Sequence, residues 1–173
     1  HELMHSFVKF GVNIIELGIP FTDPIAEGPI IQKAHDRALA NETSFTDALK
    51  IVKRFRETDT ETPVILMGYL NTFVYFIKEV NESNEIGVDG VLVVDIPGEL
   101  KLENYGLTNK DIKTISLISP TTSQDRIESI CSNSSGFIYY VTLKGVTGSA
   151  ELDTSDVNTN IKKIKEHTDL PIL

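Results

Sequence analysis

The sequence predicts an α/β chain built on a parallel sheet, and three observations carry that reading. Short β-branched segments bounded by Gly or Pro recur along the chain, and most are apolar at nearly every position, as strands are when neither face of the sheet meets water. Between them lie stretches with apolar residues three and four apart, the spacing of one helix face. The strand-then-helix order repeats, which calls for right-handed crossovers and leaves two large architectures, the eight-stranded barrel and the doubly wound open sheet. Periodicity does not separate these two. The lack of a Gly-x-Gly-x-x-Gly turn and of a Gly-Lys-Ser/Thr phosphate loop leans toward the barrel.

Strands are expected at residues 12–17, 63–67, 88–96, 114–118 and 137–143, with another opening at Pro171. Helices are expected at 29–40, 45–56, 73–84, 125–132 and 157–166, and a weaker helical pattern covers 98–106. Ser44 stands before Phe45 with Asp47 three residues on, and Ser123 stands before Gln124 and Asp125. Both are N-cap residue types followed by acids in the first turn. Lys50, Lys53, Arg54 and Arg56 gather where a helix C-terminus favours positive charge. A barrel of this kind takes about 250 residues. The 173 residues therefore read as one domain, 1–173, a barrel lacking its first strand and its last strands; the apolar stop at Leu170-Pro171-Ile172-Leu173 and the start without Met fit that expectation.

Composition narrows the function. With 16 Lys and Arg against 25 Asp and Glu, the net charge of −9 repels phosphate backbones and anionic lipid, so no nucleic-acid or membrane partner is expected. No apolar run approaches the roughly 20 residues that span a bilayer. The opening His1-Glu2-Leu3-Met4 has no basic, then apolar, leader pattern. The single Cys131 lies in a helical pattern and reads as a small buried hydrophobe, which suits a reducing, cytoplasmic setting.

Barrel enzymes place their chemistry at the C-terminal ends of strands and in the loops that follow. That rule selects Glu16, the loop from Gly18 to Pro29 with Asp23 and Glu27, then Tyr69, Asp95, Tyr139, and the turn Lys144-Gly145-Val146-Thr147-Gly148. Glu16 stands out because an acid within Ile14-Ile15-Glu16-Leu17 must be solvated by a cavity, paired, or functional. Burial would raise its pKa toward the range of a general acid and base. Asp95 before Ile96-Pro97 can serve a site or cap a turn, and Asp23 before Pro24 is an ordinary turn signal. His1, His5, His35 and His167 have no partner at metal-ligand spacing and read as solvent-facing helix residues, so no metal is expected.

The run from Asn13 to Gln32, with Glu16-Leu17-Gly18-Ile19-Pro20-Phe21-Thr22-Asp23-Pro24 and Ala26-Glu27-Gly28-Pro29 inside it, closely resembles the signature of the tryptophan synthase alpha subunit family. Leu66-Met67-Gly68-Tyr69-Leu70-Asn71, Gly90 to Pro97, Ser119-Pro120-Thr121-Thr122, and Gly136-Phe137-Ile138-Tyr139 leading to Gly145-Val146-Thr147-Gly148 agree with it in order and spacing. The resemblance implies a (β/α)8 barrel that cleaves indole-3-glycerol phosphate by a retro-aldol reaction. It also implies a beta-subunit partner in an alpha2beta2 complex; the pyridoxal phosphate belongs to that partner and no cofactor to this chain. By resemblance, Glu16 is the catalytic glutamate and Glu27 the second catalytic acid. Leu66, Tyr69, Leu92, Ile118, Tyr139, Thr147 and Gly148 are substrate-binding, and Asp23 and Pro24 face the partner. The family has aspartate where this chain has Glu27, and the departure opens an alternative, an alpha-like subunit of weak activity that mainly binds and activates the beta subunit.

Overall fold

The computed structural model describes residues 1–142 and the backbone of 154–173, with side chains from residue 157 onward in that last stretch. The chain runs α1 (Glu2–Lys9), β1 (Ile15–Gly18), α2 (Pro29–Ala40), α3 (Phe45–Phe55), β2 (Val64–Gly68), α4 (Leu70–Tyr75), α5 (Ile77–Glu82), β3 (Gly90–Val93), β4 (Lys113–Ile118), α6 (Gln124–Asn133), β5 (Ile138–Tyr140) and α7 (Thr154–Lys165), with short 3-10 turns at Ser83–Ile86 and Leu102–Tyr105. The sheet is parallel throughout and ordered β1-β2-β3-β4-β5. The register sets Glu16 beside Ile65, Met67 beside Leu92, and Leu117 beside Tyr139. The strand expected from Pro171 forms a parallel bridge from Ile172 to Ile138, and the amide of Tyr140 donates to the carbonyl of Leu173.

Side-chain parity decides between the two architectures. Ile15, Val64, Leu66, Val91 and Val93 pack with Phe45, Val52, Phe55, Phe73 and Val80 of the helices, while Ile118, Ile138 and Tyr140 pack with Ile127, Ile130 and Cys131 of α6 and Ile164 of α7. The alternate residues Ile65, Leu92, Ile115 and Phe137, with Ile14, Met67, Val94, Leu117 and Tyr139 around them, form a separate cluster to which, among the described residues, no helix contributes. Helices thus cover one face, and the other face is filled by strand side chains alone. An open doubly wound sheet has helices on both faces and a reversal of strand order. Sequential order with a strand-lined interior is the curled wall of a (β/α)8 barrel.

Helix boundaries follow local chemistry where the cap is local. The Ser44 side chain accepts from the amide of Asp47 and the Asp47 carboxylate accepts from the amide of Ser44, so α3 starts where the sequence places it. The helix expected at 73–84 instead begins at Leu70, breaks at Phe76 and ends in the 3-10 turn. Its first amide, Leu70, donates to Asp95 of the next strand's loop at 2.7 Å, a cap 25 residues away that no local pattern announces. At the break, the Phe76 ring stacks on Phe45 of α3 at 4.9 Å. The pattern over 98–106 yields only the turn at Leu102–Tyr105, and α1 is a helix that the strand-and-helix reading did not include.

Candidate active site

Glu16 is the inward-pointing residue of β1, between Ile15 and Leu17, which pack outward against the helices. Solvent reaches its carboxyl from the open side of the sheet, yet neighbouring protein strips water from the rest of it and raises its pKa above the ordinary value of 4.5. Across the interior stands the half-buried Tyr139 of β5, whose phenol is raised first by burial and then by the negative charges of Glu16 and Glu27. The two acids and the tyrosine therefore share one chamber. Its base is the fully buried Ile65, Leu92, Ile115 and Phe137, and the half-buried Met67, Val94 and Leu117 surround the opening.

The loop after β1 carries the second acid and is anchored beside this chamber. Glu27 is 9% exposed, and its backbone is held at both ends: its amide donates to the carbonyl of Pro24 at 3.0 Å, and its carbonyl accepts from Gln32 Nε2 of α2 at 2.8 Å. The amide of Ala26, one residue earlier, donates to the hydroxyl of Tyr69 at 2.9 Å, and the ring of Phe21 stacks on the Tyr69 ring at 4.8 Å. Tyr69, 2% exposed, is thus a pillar for the loop; burial raises its phenol, the Ala26 bond opposes this, and the charges of Glu27 and Asp95 add to the rise. The amide of Phe21 donates to Nδ1 of the buried His35 at 3.0 Å. Pro at the first position of α2 and Gly28 at its N-cap end the loop where the helix begins.

The structure brings together Glu16, Glu27, Tyr69, Leu92 and Tyr139, and it separates two other expected residues from them. Leu66 (0% exposed) and Ile118 (1% exposed) belong to the helix-facing cores, so their assignment to the inner pocket is corrected. Because side chains alternate along a strand, their neighbours Met67 and Leu117 face inward. Asp95 is a cap for α4, one of the two roles its sequence context allows. Asp23 is exposed, with Thr22 Oγ1 donating to its Oδ2 at 2.5 Å, Pro24 is half-buried, and Ile25 beside them is 82% exposed. Thr147, Gly148 and Lys144 lie outside the described residues. His35 is corrected from solvent-facing to buried. Cys131 is buried in α6, and that burial raises its thiol.

A second recess, a cavity of about 220 Å³, lies away from this chamber, between Lys101, Asn109 and Lys110 on one side and Ser132, Asn133 and Ser135 on the other. It opens at the N-terminal ends of the strands, the end of such barrels that serves stability rather than chemistry. Asn133 already donates to the carbonyl of Glu99, and Thr114 to the carbonyl of Asn133. Among the described residues no three His, Cys, Asp or Glu cluster as a metal site, and no helix is long and apolar enough to cross a membrane.

With the inward Glu16 and the clamped Glu27 loop beside it goes a match over the chain: residues 1–173 match the family described as tryptophan synthase alpha chain. The chain belongs to that family. It is 50% identical to the tryptophan synthase alpha chain of Neisseria gonorrhoeae over 173 residues, covering 98% of this chain and 66% of that protein. Its fold superposes on tryptophan synthase subunit alpha of Legionella pneumophila with a TM-score of 0.85 at 40% identity, over 99% of this chain and 64% of that one. A structure of the tryptophan synthase α2β2 complex of Pyrococcus furiosus matches with a TM-score of 0.85 at 33% identity, over 99% of this chain and 69% of that one. The chain thus spans slightly less than two thirds of the family relatives from Neisseria and Legionella.

Proposed function

We propose that this chain carries the carbon–carbon lyase site of a tryptophan synthase alpha subunit, cleaving indole-3-glycerol phosphate to indole and glyceraldehyde 3-phosphate in tryptophan biosynthesis. The single observation that carries the reading is the convergence of Glu16 and Glu27 beside Tyr139 over an apolar base. In the reaction, indole C3 gains a proton and the hydroxyl on the side-chain carbon bonded to it loses one. The electron pair of the breaking C–C bond returns to the ring, and the oxygen's pair becomes the aldehyde carbonyl. One carboxyl can serve both transfers if its pKa sits near the working pH, and burial moves Glu16 in that direction. Glu27 accepts the indole N–H and balances the positive charge of the protonated ring. Met67 and Leu117 offer apolar surface to the ring, backed from beneath by the fully buried Leu92, with Tyr69 and Tyr139 beside it; Thr147 and Gly148 are assigned to the phosphate end.

The partner in this reading is a beta subunit in an alpha2beta2 complex, met at Asp23 and Pro24 with the exposed Ile25 between them and Glu27. Pyridoxal phosphate is assigned to that subunit, and the pair works in the cytoplasm. The test is indole release by the complete protein against its Glu16→Gln variant. A loss of two orders of magnitude or more is expected for removal of an essential proton carrier; equal rates would end the assignment. A second reading rests on Glu27: its extra methylene moves the carboxylate by about one bond length relative to aspartate, and such a displacement can cost about 10²-fold. Under that reading the subunit turns over slowly and chiefly activates its partner.

A further inference from the structure

α2 runs for twelve residues, yet its one buried side chain is a histidine. An amphipathic helix ordinarily spends its buried position on an apolar residue. Here the position holds an imidazole, 9% exposed, whose Nδ1 accepts the amide of Phe21, fourteen residues back and on the loop that carries Glu27. For Nδ1 to accept, a neutral ring must carry its proton on Nε2. The bond does more than satisfy one amide. Phe21 is the residue whose ring lies on Tyr69, and the Tyr69 hydroxyl takes the amide of Ala26, next to Glu27. His35 and Tyr69 thus grip opposite ends of the loop, and Gln32, one turn before His35, grips the carbonyl of Glu27 itself. The backbone of Glu27 is fixed from α2 and from the end of β2, and its carboxylate lies near enough to Tyr139 for its charge to raise that phenol.

We propose that His35 is a positioning residue for the Glu27 loop: by accepting the Phe21 amide it holds the Phe21–Tyr69 stack in place and through it sets where the Glu27 carboxylate stands over the substrate. The proposal rests on the lyase reading for its kinetic consequence but not for the bond itself. Loss of the acceptor lets the loop shift and orphans the Phe21 amide. The charge that Glu27 must balance develops only as the ring is protonated, so the loss falls on turnover more than on substrate binding.

The experiment uses the complete protein with its beta subunit. His35→Leu keeps a side chain of similar size without the acceptor, and His35→Asn places an amide oxygen near the position of Nδ1. Rates are corrected for folded fraction. The expected result is a fall of about tenfold in kcat with KM changed by less than about twofold for His35→Leu, and recovery of most of that loss in His35→Asn. Full activity in His35→Leu, or no recovery in His35→Asn, overturns the proposal. Should His35→Leu fail to fold, amide hydrogen exchange in the unaltered protein decides: protection at Phe21 matching that at Ala26 supports the clamp, and exchange at the rate of an open loop overturns it. An unaltered protein that releases no indole defeats the lyase reading instead, and the exchange measurement still judges the clamp.

Discussion

At Glu16 the partial desolvation that raises the carboxyl's pKa also works against folding with the group charged. The folded chain favours the protonated carboxyl, so it binds that proton more tightly than the unfolded chain does. The resulting stability is fully present below the ordinary value of 4.5 and is lost as pH climbs through the raised folded value. Glu16→Gln keeps the shape and removes the charge. It is expected to raise Tm near pH 7 and to leave Tm almost unchanged near pH 4, where both side chains are neutral. Melts at the two pH values check this, and a variant that melts lower near pH 7 would mean that the charged form is favoured by its surroundings. Glu27 poses the complementary question. Glu27→Asp restores the shorter acid, and if length limits turnover the variant gains at least about tenfold, near 1.4 kcal/mol of transition-state stabilisation. No gain would mean that the loop held by Tyr69, Gln32 and His35 already places the longer acid.

Among the elements, the junction below the sheet shows how a glycine is tied to one arginine. The guanidinium of Arg56, just past α3, donates to the carbonyls of Gly87 at 2.9 Å and Thr62 at 2.7 Å and pairs with Asp89 at 2.7 Å, joining the turns that lead into β2 and β3. Gly87 has φ +95, and a Cβ there would meet the Arg56 side chain at 2.5 Å. Gly11 has a similar φ of +93 with nothing within 4 Å of its Cβ position. Alanine at either site bears left-handed strain of about 1–2 kcal/mol. Only at Gly87 must it also displace a side chain held by Gly87, Thr62, Asp89 and Asp59, so Gly87→Ala is expected to cost at least about 1 kcal/mol more than Gly11→Ala. Denaturant titration of the two variants checks the difference, and equal losses would mean that Arg56 moves aside freely. The same scale explains where helix starts were legible. Ser44 caps α3 from one residue away, whereas Asp95 caps α4 from the next crossover.

For the molecule as a whole, the face at the C-terminal ends of the strands combines the site with an exposed rim. Asp23 lies on that rim beside Ile25, within the loop that bears Glu27. If this rim meets the beta subunit, Asp23→Ala in the complete protein weakens capture of that subunit or its activation by at least about threefold, since a rim charge acts on encounter and coupling more than on fold. Pull-down and indole-release assays with added beta subunit check it. Undiminished capture together with undiminished activation would remove Asp23 from the interface.

The sequence by itself determined the strand and helix order, the parallel sheet and the choice of Glu16 as an acid in an apolar strand, because those follow from side-chain periodicity and from the cost of burying a charge. It also held the family signature from Asn13 to Gln32. Only the tertiary structure decided that helices cover a single face, since the periodicity of a strand buried on both sides is the same in a barrel and in an open sheet. Which of two adjacent apolar residues faces inward was hidden for the same reason: in Ile65-Leu66-Met67 or Leu117-Ile118 every position is apolar, and the register with neighbouring strands alone sends Leu66 and Ile118 to the helices and Met67 and Leu117 to the chamber. His35 was hidden for a different reason. Its partner is a backbone amide fourteen residues away, and a backbone amide leaves no mark on the sequence.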